Sequence, residues 1–184
     1  MLGILIPVVG PSGAGKDTLI DAARVARPDI FFPTRVITRP ETAGGEIFNG
    51  VDTAVFEQMM GNGDFAFHWQ AHGLSYGILV EIIARLKNGQ TVMFNGSRGI
   101  INEARARFKN LKVMVVTAPE DVLAKRLATR GREDENDIKN RLERAAYALP
   151  KGRDVTIVWN DIPLAYSSAK FLAALPPKRL TDNV

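Results

Sequence analysis

The chain of 184 residues contains no cysteine. This absence excludes disulfides, thiolate metal sites and a cysteine nucleophile, and it is compatible with the cytoplasm. The sequence also has no run that approaches the roughly 20 apolar residues needed to cross a bilayer. The apolar N-terminus has no basic region before it and leads into a glycine-rich loop, which predicts a core strand and not a signal peptide. We therefore expect a cytoplasmic protein with no membrane partner.

A long basic block is missing as well. The 24 Lys and Arg residues exceed the 20 Asp and Glu residues by only four, and the arginines are dispersed. Small phosphorylated substrates explain such a modest excess of positive charge as well as nucleic acid does. The length and the apolar fraction of 46% are those of one ordinary globular domain. We expect no nucleic-acid partner, and the sequence does not determine the oligomeric state.

A phosphate-binding pattern follows directly on the apolar run Ile4–Val9. It is G-x-x-x-x-G-K, in which glycines let several N–H groups point at one anion and the lysine reaches the outer phosphates. A glycine-rich turn alone would not explain the lysine. The pattern predicts that a nucleoside triphosphate, ATP, is held by Gly10, Pro11, Ser12, Gly13, Ala14, Gly15, Lys16, Asp17 and Thr18.

The residue after the lysine departs from this pattern. It is usually Ser or Thr, whose hydroxyl binds Mg²⁺, but here it is Asp17, followed by Thr18. A carboxylate is also a hard oxygen ligand that suits Mg²⁺, either directly or through water. Thr18 could serve the metal instead, or Asp17 could simply favour the start of a helix. These alternatives stay open at this point.

Short apolar runs alternate with helical periodicity, which predicts an α/β fold with a parallel sheet and helices on both faces. Pro7 lacks an N–H, so either its strand is locally irregular or the proline sits where an N–H would have no partner.

Residues 34–80 are rich in glycine and aromatics and predict an inserted subdomain, and the charged residues 130–140 predict a mobile lid. The predicted strands are Ile4–Val9, Arg35–Thr38, Thr91–Asn95, Lys112–Thr117 and Val155–Trp159; the predicted helices are Lys16–Ala26, Ala54–Met60, Ile78–Lys87, Ile100–Phe108, Glu120–Thr129, Ile138–Ala148 and Leu164–Leu175.

The rest of the chain favours a kinase over a nucleotide-dependent switch. The guanine-reading Asn-Lys-x-Asp motif of GTPases is absent, and so is an Asp-x-x-Gly switch after the second strand. Arginines instead occur as Arg35 and Arg39, as Arg98 after the third strand, and in the segment from Arg130 to Arg141. Phosphoryl transfer to another phosphate brings many negative oxygens together, and the planar guanidinium binds them with two hydrogen bonds.

These residues resemble the guanylate kinases. The similarity lies in the phosphate loop, in Thr38-Arg39-Pro40, in His72-Gly73-x-x-Tyr76-Gly77 and in Arg130-x-Arg132 with Arg141, and it spans roughly residues 4–161. The resemblance implies a P-loop NTPase three-layer fold with an acceptor-binding insertion and a lid. It implies that Arg39 and Tyr76 hold the acceptor phosphate, that Arg132 and Arg141 act with Lys16 in catalysis, and that Arg130 and Asn160 bind the ATP cofactor, with Asn160 packed near the adenine.

Two departures from that family change the expected acceptor. Guanylate kinases read guanine with one acidic residue in the segment aligned to Phe65–Trp69 and a second after the third strand. The first position falls at Phe67 here, and the second falls in Asn95-Gly96-Ser97-Arg98, which has no carboxylate. Guanine N–H groups need buried acceptors, and a site that lacks them should reject the base. A cation at Arg98 suggests that the acceptor carries a second phosphate where guanylate carries a base.

This pattern is similar to that of the ribose 1,5-bisphosphate phosphokinases, which act in bacterial phosphonate breakdown. The resemblance implies transfer from ATP, with Mg²⁺, to ribose 1,5-bisphosphate, which yields 5-phosphoribosyl 1-diphosphate. The acceptor residues would be Arg35, Arg39, Tyr76, Ser97 and Arg98. The nearest rival function is a guanylate or other nucleoside monophosphate kinase. A non-catalytic guanylate-kinase-like binding module is less favoured because Lys16 and the loop glycines are all present.

Overall fold

The computed structural model describes residues 2–41, 47–129 and 149–178. The predicted helix Ile138–Ala148 and the predicted lid at 130–140 lie outside these residues. The strands are β1 (Leu5–Val9), β2 (Ile30–Phe31), β3 (Arg35–Ile37), β4 (Phe48–Gly50), β5 (Phe65–Ala71), β6 (Leu74–Leu79), β7 (Thr91–Asn95), β8 (Val113–Thr117) and β9 (Val155–Trp159). The helices are α1 (Lys16–Ala26), α2 (Thr53–Gly61), α3 (Glu81–Lys87), α4 (Ile101–Arg107), α5 (Glu120–Thr129) and α6 (Leu164–Ala173), and a 3₁₀ turn (Arg98–Ile100) precedes α4.

The chain divides into two compact units. The first unit comprises Met1–Pro7 and Ile30–Lys112, and the second comprises Val8–Asp29 and Val113–Val184. The four strands of a mixed sheet, in the order β4-β3-β6-β5, all belong to the first unit and fall within residues 35–79. The boundaries predicted for the inserted subdomain remain a prediction.

The second sheet has the strand order β2-β7-β1-β8-β9. The pairs β2–β7, β1–β8 and β8–β9 are parallel, so the predicted parallel sheet is confirmed. The first part of β1 belongs to the first unit and Val8-Val9 to the second. Buried β-branched and other apolar side chains form β1, β8 and most of β7, which is typical of strands covered on both faces. The two-residue strand β2 was too short to give a sequence pattern.

Pro7 interrupts the pairing of β1 without changing its register. Leu5 pairs with Leu111 as an isolated bridge, and the ladder resumes where Val8 pairs with Met114. Both pairs keep the same offset along the chain, so no residue is inserted into either strand. The missing N–H of proline therefore leaves a gap in the ladder, and the strand itself continues.

The predicted helix Ile78–Lys87 is wrong at its start. The structure begins this helix, α3, at Glu81, and Ile78 and Leu79 instead end β6, where they pair with Phe67 and Phe65 of β5. Ile78 and Ile82 are both fully buried and four residues apart, so their spacing imitates one face of a helix. Cross-strand pairing with β5 is a long-range contact, which a local periodicity does not reveal.

A bulge in β5 changes which face its aromatic residues share. The register shifts between Phe65 and Phe67. The ring of Phe65 stacks on Phe56 at 4.7 Å between centroids. Phe67 is buried in the core of the first unit, and Trp69 packs against that core. In a regular strand Phe65, Phe67 and Trp69 would share one face, but because of the bulge only Phe67 and Trp69 do so.

The end of α1 in the second unit is fixed by Arg27. Its guanidinium donates to both carboxylate oxygens of Asp29 at 2.8 Å and to the carbonyl oxygen of Pro176 at 2.7 Å. The hydrogen bonds from Arg27 hold the pKa of the Asp29 carboxyl below its ordinary value. The charged carboxylate is therefore favoured by folding, and its contribution to stability is present above its pKa in the unfolded chain.

Replacing Asp29 with asparagine should lower the free energy of unfolding at pH 7 by about 1 kcal/mol or less, the range of ion pairs near a protein surface. The difference from wild type should shrink as the pH falls through the lowered pKa of Asp29, because wild type then loses the same charge. Urea denaturation between pH 7 and pH 3 measures both quantities. A difference that does not vary with pH would mean that the ion pair is not its cause.

Candidate active site

The phosphate loop connects β1 to α1 within the second unit. Gly10 has φ 147°, and a Cβ there would lie 1.9 Å from the carbonyl oxygen of Val116, so only glycine fits. Gly15 caps α1 in the left-handed region at φ 84°. The 11-residue helix then starts at Lys16, which places the positive end of its dipole at the loop, as the sequence predicted.

The ammonium group of Lys16 is bonded to the backbone of this loop. Its Nζ donates to the carbonyl oxygens of Gly10 and Pro11, both at 2.9 Å. These bonds hold the charge beside the loop backbone where an anion would bind. The lysine at the end of the loop is therefore bonded back to the loop's first two residues.

Asp17 and Thr18 form the first turn of α1. Thr18 is exposed and Asp17 is partly exposed, and the Thr18 side chain lines a cavity together with Gly13 and Gly15. No group of three or more His, Asp or Glu side chains in the described part of the chain is arranged to hold a metal ion. Mg²⁺ commonly uses one or two protein oxygens together with substrate phosphates, so the carboxylate and the hydroxyl fit such an ion.

The cavity beside the loop has a volume of about 420 Å³, within the range of small-molecule sites. Its walls come from the loop, from α5 and from the segment after β9. Arg126 on α5 lines it and donates to the carbonyl oxygen of Gly13 at 3.5 Å. Sequence reasoning missed Arg126, although Thr129 lies three residues after Arg126 and four after Lys125, spacings at which side chains are neighbours on a helix. The lining residues are Gly13, Gly15, Thr18, Lys125, Arg126, Thr129, Asn160, Ile162 and Leu164.

Asn160 directly follows β9 and is only 5% exposed. Its side-chain Nδ2 donates to the carbonyl oxygen of Ala14 at 2.8 Å. A Cβ on Gly15 would lie 2.4 Å from the same nitrogen. The structure therefore places this predicted nucleotide-binding residue against the phosphate loop.

In the first unit, two of the predicted acceptor residues, Arg35 and Tyr76, are in contact with each other. Arg35 is 8% exposed, and its guanidinium donates to the carbonyl oxygen of Asn95 at 3.3 Å. The same guanidinium lies 5.4 Å from the ring centre of Tyr76, which stacks on Trp69 with centroids 5.5 Å apart and planes 3° from parallel. Arg35 therefore contacts both Tyr76 and the start of the segment that leads to Arg98. Trp69 was not predicted as a site residue, since it reads as a core aromatic.

Ser97 and Arg98 begin the 3₁₀ turn after β7. The hydroxyl of Ser97 caps this turn and accepts a hydrogen bond from the Gly99 N–H at 3.2 Å. Both side chains are partly exposed. Arg39, which follows β3, lies with its guanidinium 4.3 Å from the ring centre of Phe48. The structure thus joins Arg35 to Asn95 and places Arg39 against β4.

Phe67 occupies the position aligned with the first guanine-reading residue. It is 1% exposed, with ring centroids 5.9 Å from Phe94 and 5.7 Å from Phe108. Arg107 closes this cluster, since its guanidinium lies 5.1 Å from the Phe67 ring and donates to the carbonyl oxygen of Ala66. Phe67 is a core residue, and its side chain has no hydrogen-bond acceptor to offer a base.

The predicted lid residues Arg130, Arg132 and Arg141 lie outside the described residues, and their roles remain predictions. Among the helices that the structure describes, none is long and apolar enough to cross a membrane.

Comparison with known proteins identifies relatives along almost the whole chain. The family model described as guanylate kinase matches residues 4–173. A protein named ribose 1,5-bisphosphate phosphokinase PhnN from Agrobacterium fabrum is 47% identical over 160 residues, which cover 85% of this chain and 87% of that protein.

A protein named bifunctional ribose 1,5-bisphosphokinase-thymidine phosphorylase from Cupriavidus necator is 44% identical over 174 residues. This match covers 94% of the chain but 29% of that relative, so the chain spans less than a third of its length. Among solved structures, guanylate kinase from Anaplasma phagocytophilum has a similar fold, with a TM-score of 0.67 at 15% identity over 94% of this chain and 84% of that one.

Proposed function

The chain belongs to the guanylate kinase family, and on that premise we propose that it is an ATP-dependent kinase whose acceptor is ribose 1,5-bisphosphate. An oxygen of the acceptor's 1-phosphate attacks the γ-phosphorus of ATP. The bond from that phosphorus to its bridging oxygen breaks, and the products are ADP and 5-phosphoribosyl 1-diphosphate. The names of relatives that are 47% and 44% identical support this substrate.

The observation that carries the proposal is the chemistry of the two base-reading positions. Phe67 is buried among aromatic rings, and the Asn95–Arg98 segment carries a cation and no carboxylate. The carbonyl oxygen of Asn95 also accepts from Arg35, so a second guanidinium lies at this segment. Two cations suit a second phosphate, whereas the N–H groups of guanine need acceptors.

The donor half of the reaction rests on the phosphate loop and its cavity. The loop N–H groups and the Lys16 ammonium bind the phosphates of ATP and stabilise the negative charge on the transferred phosphoryl group. The remaining cavity beside α5 and Asn160 has room for the nucleoside. Lys16 moves its hydrogen bonds from the carbonyl oxygens of Gly10 and Pro11 to the outer phosphates when ATP binds.

The acceptor half consists of Arg35, Arg39, Tyr76, Ser97 and Arg98. Arg39 and Tyr76 hold one phosphate, and Arg98 with Ser97 and Arg35 holds the other. The attacking phosphate oxygen is already ionised at neutral pH, so the reaction needs no general base. Catalysis depends on positioning and on neutralising charge, to which Arg132 contributes from the lid, Arg141 from the predicted helix after it, and Arg130 at the nucleotide.

Mg²⁺ fits the first turn of α1, where Asp17 and Thr18 supply a carboxylate and a hydroxyl. An ion held there would supply positive charge against the charge that develops during transfer. Thr18 lines the donor cavity, while Asp17 follows directly on Lys16, where the usual hydroxyl residue stands. The proposed arrangement has Asp17 hold the ion directly or through water.

Replacing Asp17 with asparagine should raise the Mg²⁺ concentration for half-maximal activity by about 10-fold, the size expected for a lost metal contact. Maximal activity at saturating Mg²⁺ should change less. The matched control is Asp21→Asn, one turn further along the exposed side of α1, which should leave the Mg²⁺ titration unchanged. An unchanged titration for Asp17→Asn as well would assign the metal to Thr18 or to water.

The proposed reaction is tested directly with a panel of acceptors. The protein is incubated with ATP, Mg²⁺ and one acceptor at a time, and the products are identified by phosphorus NMR. Ribose 1,5-bisphosphate should give a new diphosphate in an amount equal to the ADP formed. GMP, AMP and ribose 5-phosphate are the other acceptors tested. Efficient GDP formation from GMP would contradict the proposal in favour of a nucleotide kinase.

A further inference from the structure

Asn160 is fixed by hydrogen bonds at both its backbone and its side chain. Its backbone N–H donates to the carbonyl oxygen of Thr117 at 2.7 Å, which anchors it to β8. Its side-chain Nδ2 donates to the carbonyl oxygen of Ala14 at 2.8 Å. The residue is 5% exposed although it borders the donor cavity. The carboxamide is therefore directed at the loop backbone, with little surface left for a ligand.

The Ala14 carbonyl controls the direction of a loop N–H group. In a planar trans peptide the carbonyl of Ala14 and the N–H of Gly15 lie in one plane and point in opposite directions within it. Because Asn160 holds this carbonyl on its own side, the Gly15 N–H points away from Asn160. Loop N–H groups are the donors that bind phosphate, so the orientation of this peptide sets the geometry of the anion site.

Gly15 is matched to this arrangement. Its φ of 84° is a left-handed conformation, and any Cβ would come within 2.4 Å of Nδ2 of Asn160. The absence of a side chain lets the carboxamide lie directly against the loop. The contact links the end of β9 to the start of α1 across 146 residues of sequence.

We propose that Asn160 is a positioning residue for the phosphate loop, which holds the Ala14–Gly15 peptide in its phosphate-binding orientation and does not read the base. Its effect on nucleotide binding is then independent of the base. This inference rests on the proposed function only in that the loop binds the phosphates of the donor, and it does not depend on which acceptor is used.

The test compares ligands that share phosphates and differ in the base. Binding of MgATP, MgGTP and magnesium tripolyphosphate is measured by calorimetry for wild type, Asn160→Ala and Asn160→Asp. Asn160→Ala should weaken all three ligands by the same factor, about 10-fold for one lost hydrogen bond. Asn160→Asp keeps the size but sets a carboxylate against the Ala14 carbonyl, so its loss should be equal or larger. The KM for the acceptor should stay unchanged while the KM for ATP rises.

Asn110→Ala is the matched control, because the Asn110 side chain also donates to a backbone carbonyl, that of Leu2 at 3.2 Å. It should leave all three affinities unchanged. Thermal melts verify that each variant is folded. If Asn160→Ala is not folded, the comparison of the three ligands uses Asn160→Asp. A loss confined to ATP, or no loss for tripolyphosphate, overturns the positioning role and assigns Asn160 to the base. Neither result bears on the acceptor, which the phosphorus NMR assay decides separately.

Discussion

Replacing Lys16 with alanine should reduce phosphotransfer from ATP by at least about 10³-fold, the scale of losing a cation that stabilises the transferring phosphoryl group. The ammonium group lies at the loop, 2.9 Å from the carbonyl oxygens of Gly10 and Pro11. It is the cation closest in sequence to the predicted phosphate site, and alanine keeps the good helix propensity required at the first residue of α1. The measurement is ADP release in the presence of Mg²⁺ and the acceptor.

The control for this prediction is Lys109→Ala, which removes an exposed lysine of the first unit. It should retain wild-type turnover. Circular dichroism and thermal melts of Lys16→Ala should show a folded chain, because the hydrogen bonds to Gly10 and Pro11 are made to the loop and not to the core. A folded Lys16→Ala protein with near-normal turnover would overturn the donor site.

Ribose 1,5-bisphosphate should be phosphorylated far faster than GMP. The N1–H and exocyclic amino group of guanine would find no acceptor at Phe67, which is buried in the core, or in the Asn95–Arg98 segment, which has no carboxylate. Each buried donor without an acceptor costs about 1–3 kcal/mol. Two such losses correspond to a preference of roughly 30-fold to 10⁴-fold in kcat/KM. The measurement is kcat/KM for each acceptor at saturating MgATP.

The same pocket predicts a selective effect of Arg98→Ala. Loss of a hydrogen bond between charged groups, about 1.5–3 kcal/mol, should lower kcat/KM for ribose 1,5-bisphosphate by about 10-fold to 100-fold. The KM for ATP should stay unchanged. Arg153→Ala, at an exposed arginine of the second unit, is the matched control. Unaltered acceptor kinetics in Arg98→Ala would contradict the assignment of this arginine to the second phosphate.

The donor loop could be predicted in detail because its chemistry is local. Nine consecutive residues contain the glycines, the lysine and the first turn of the helix, and α1 has the bounds that the sequence predicted, Lys16–Ala26. The absence of a carboxylate between Asn95 and Arg98 is likewise a property of the sequence. The parallel sheet followed from the alternation of apolar runs and helical periodicity, since parallel strands need crossover connections.

Other features of the site depend on pairs of residues that are distant in sequence. The bond from Arg35 to Asn95 spans 60 residues, and the bond from Asn160 to Ala14 spans 146. Both join a side chain to a backbone carbonyl. Because every residue has such a carbonyl, the sequence does not show which one accepts the hydrogen bond. The end of β6 at Leu79 and the bulge after Phe65 depend in the same way on the pairing of β5 with β6.

The sequence by itself therefore determined the phosphate loop, its lysine, the parallel sheet and the lack of base-reading carboxylates, because each follows from residue types at short spacing. Only the tertiary structure decided that Asn160 is directed at the loop, that Arg126 borders the donor cavity, and that Arg35 is tied to the segment of Arg98. These contacts form when distant segments pack together, and their geometry depends on backbone direction, which residue identity alone does not specify.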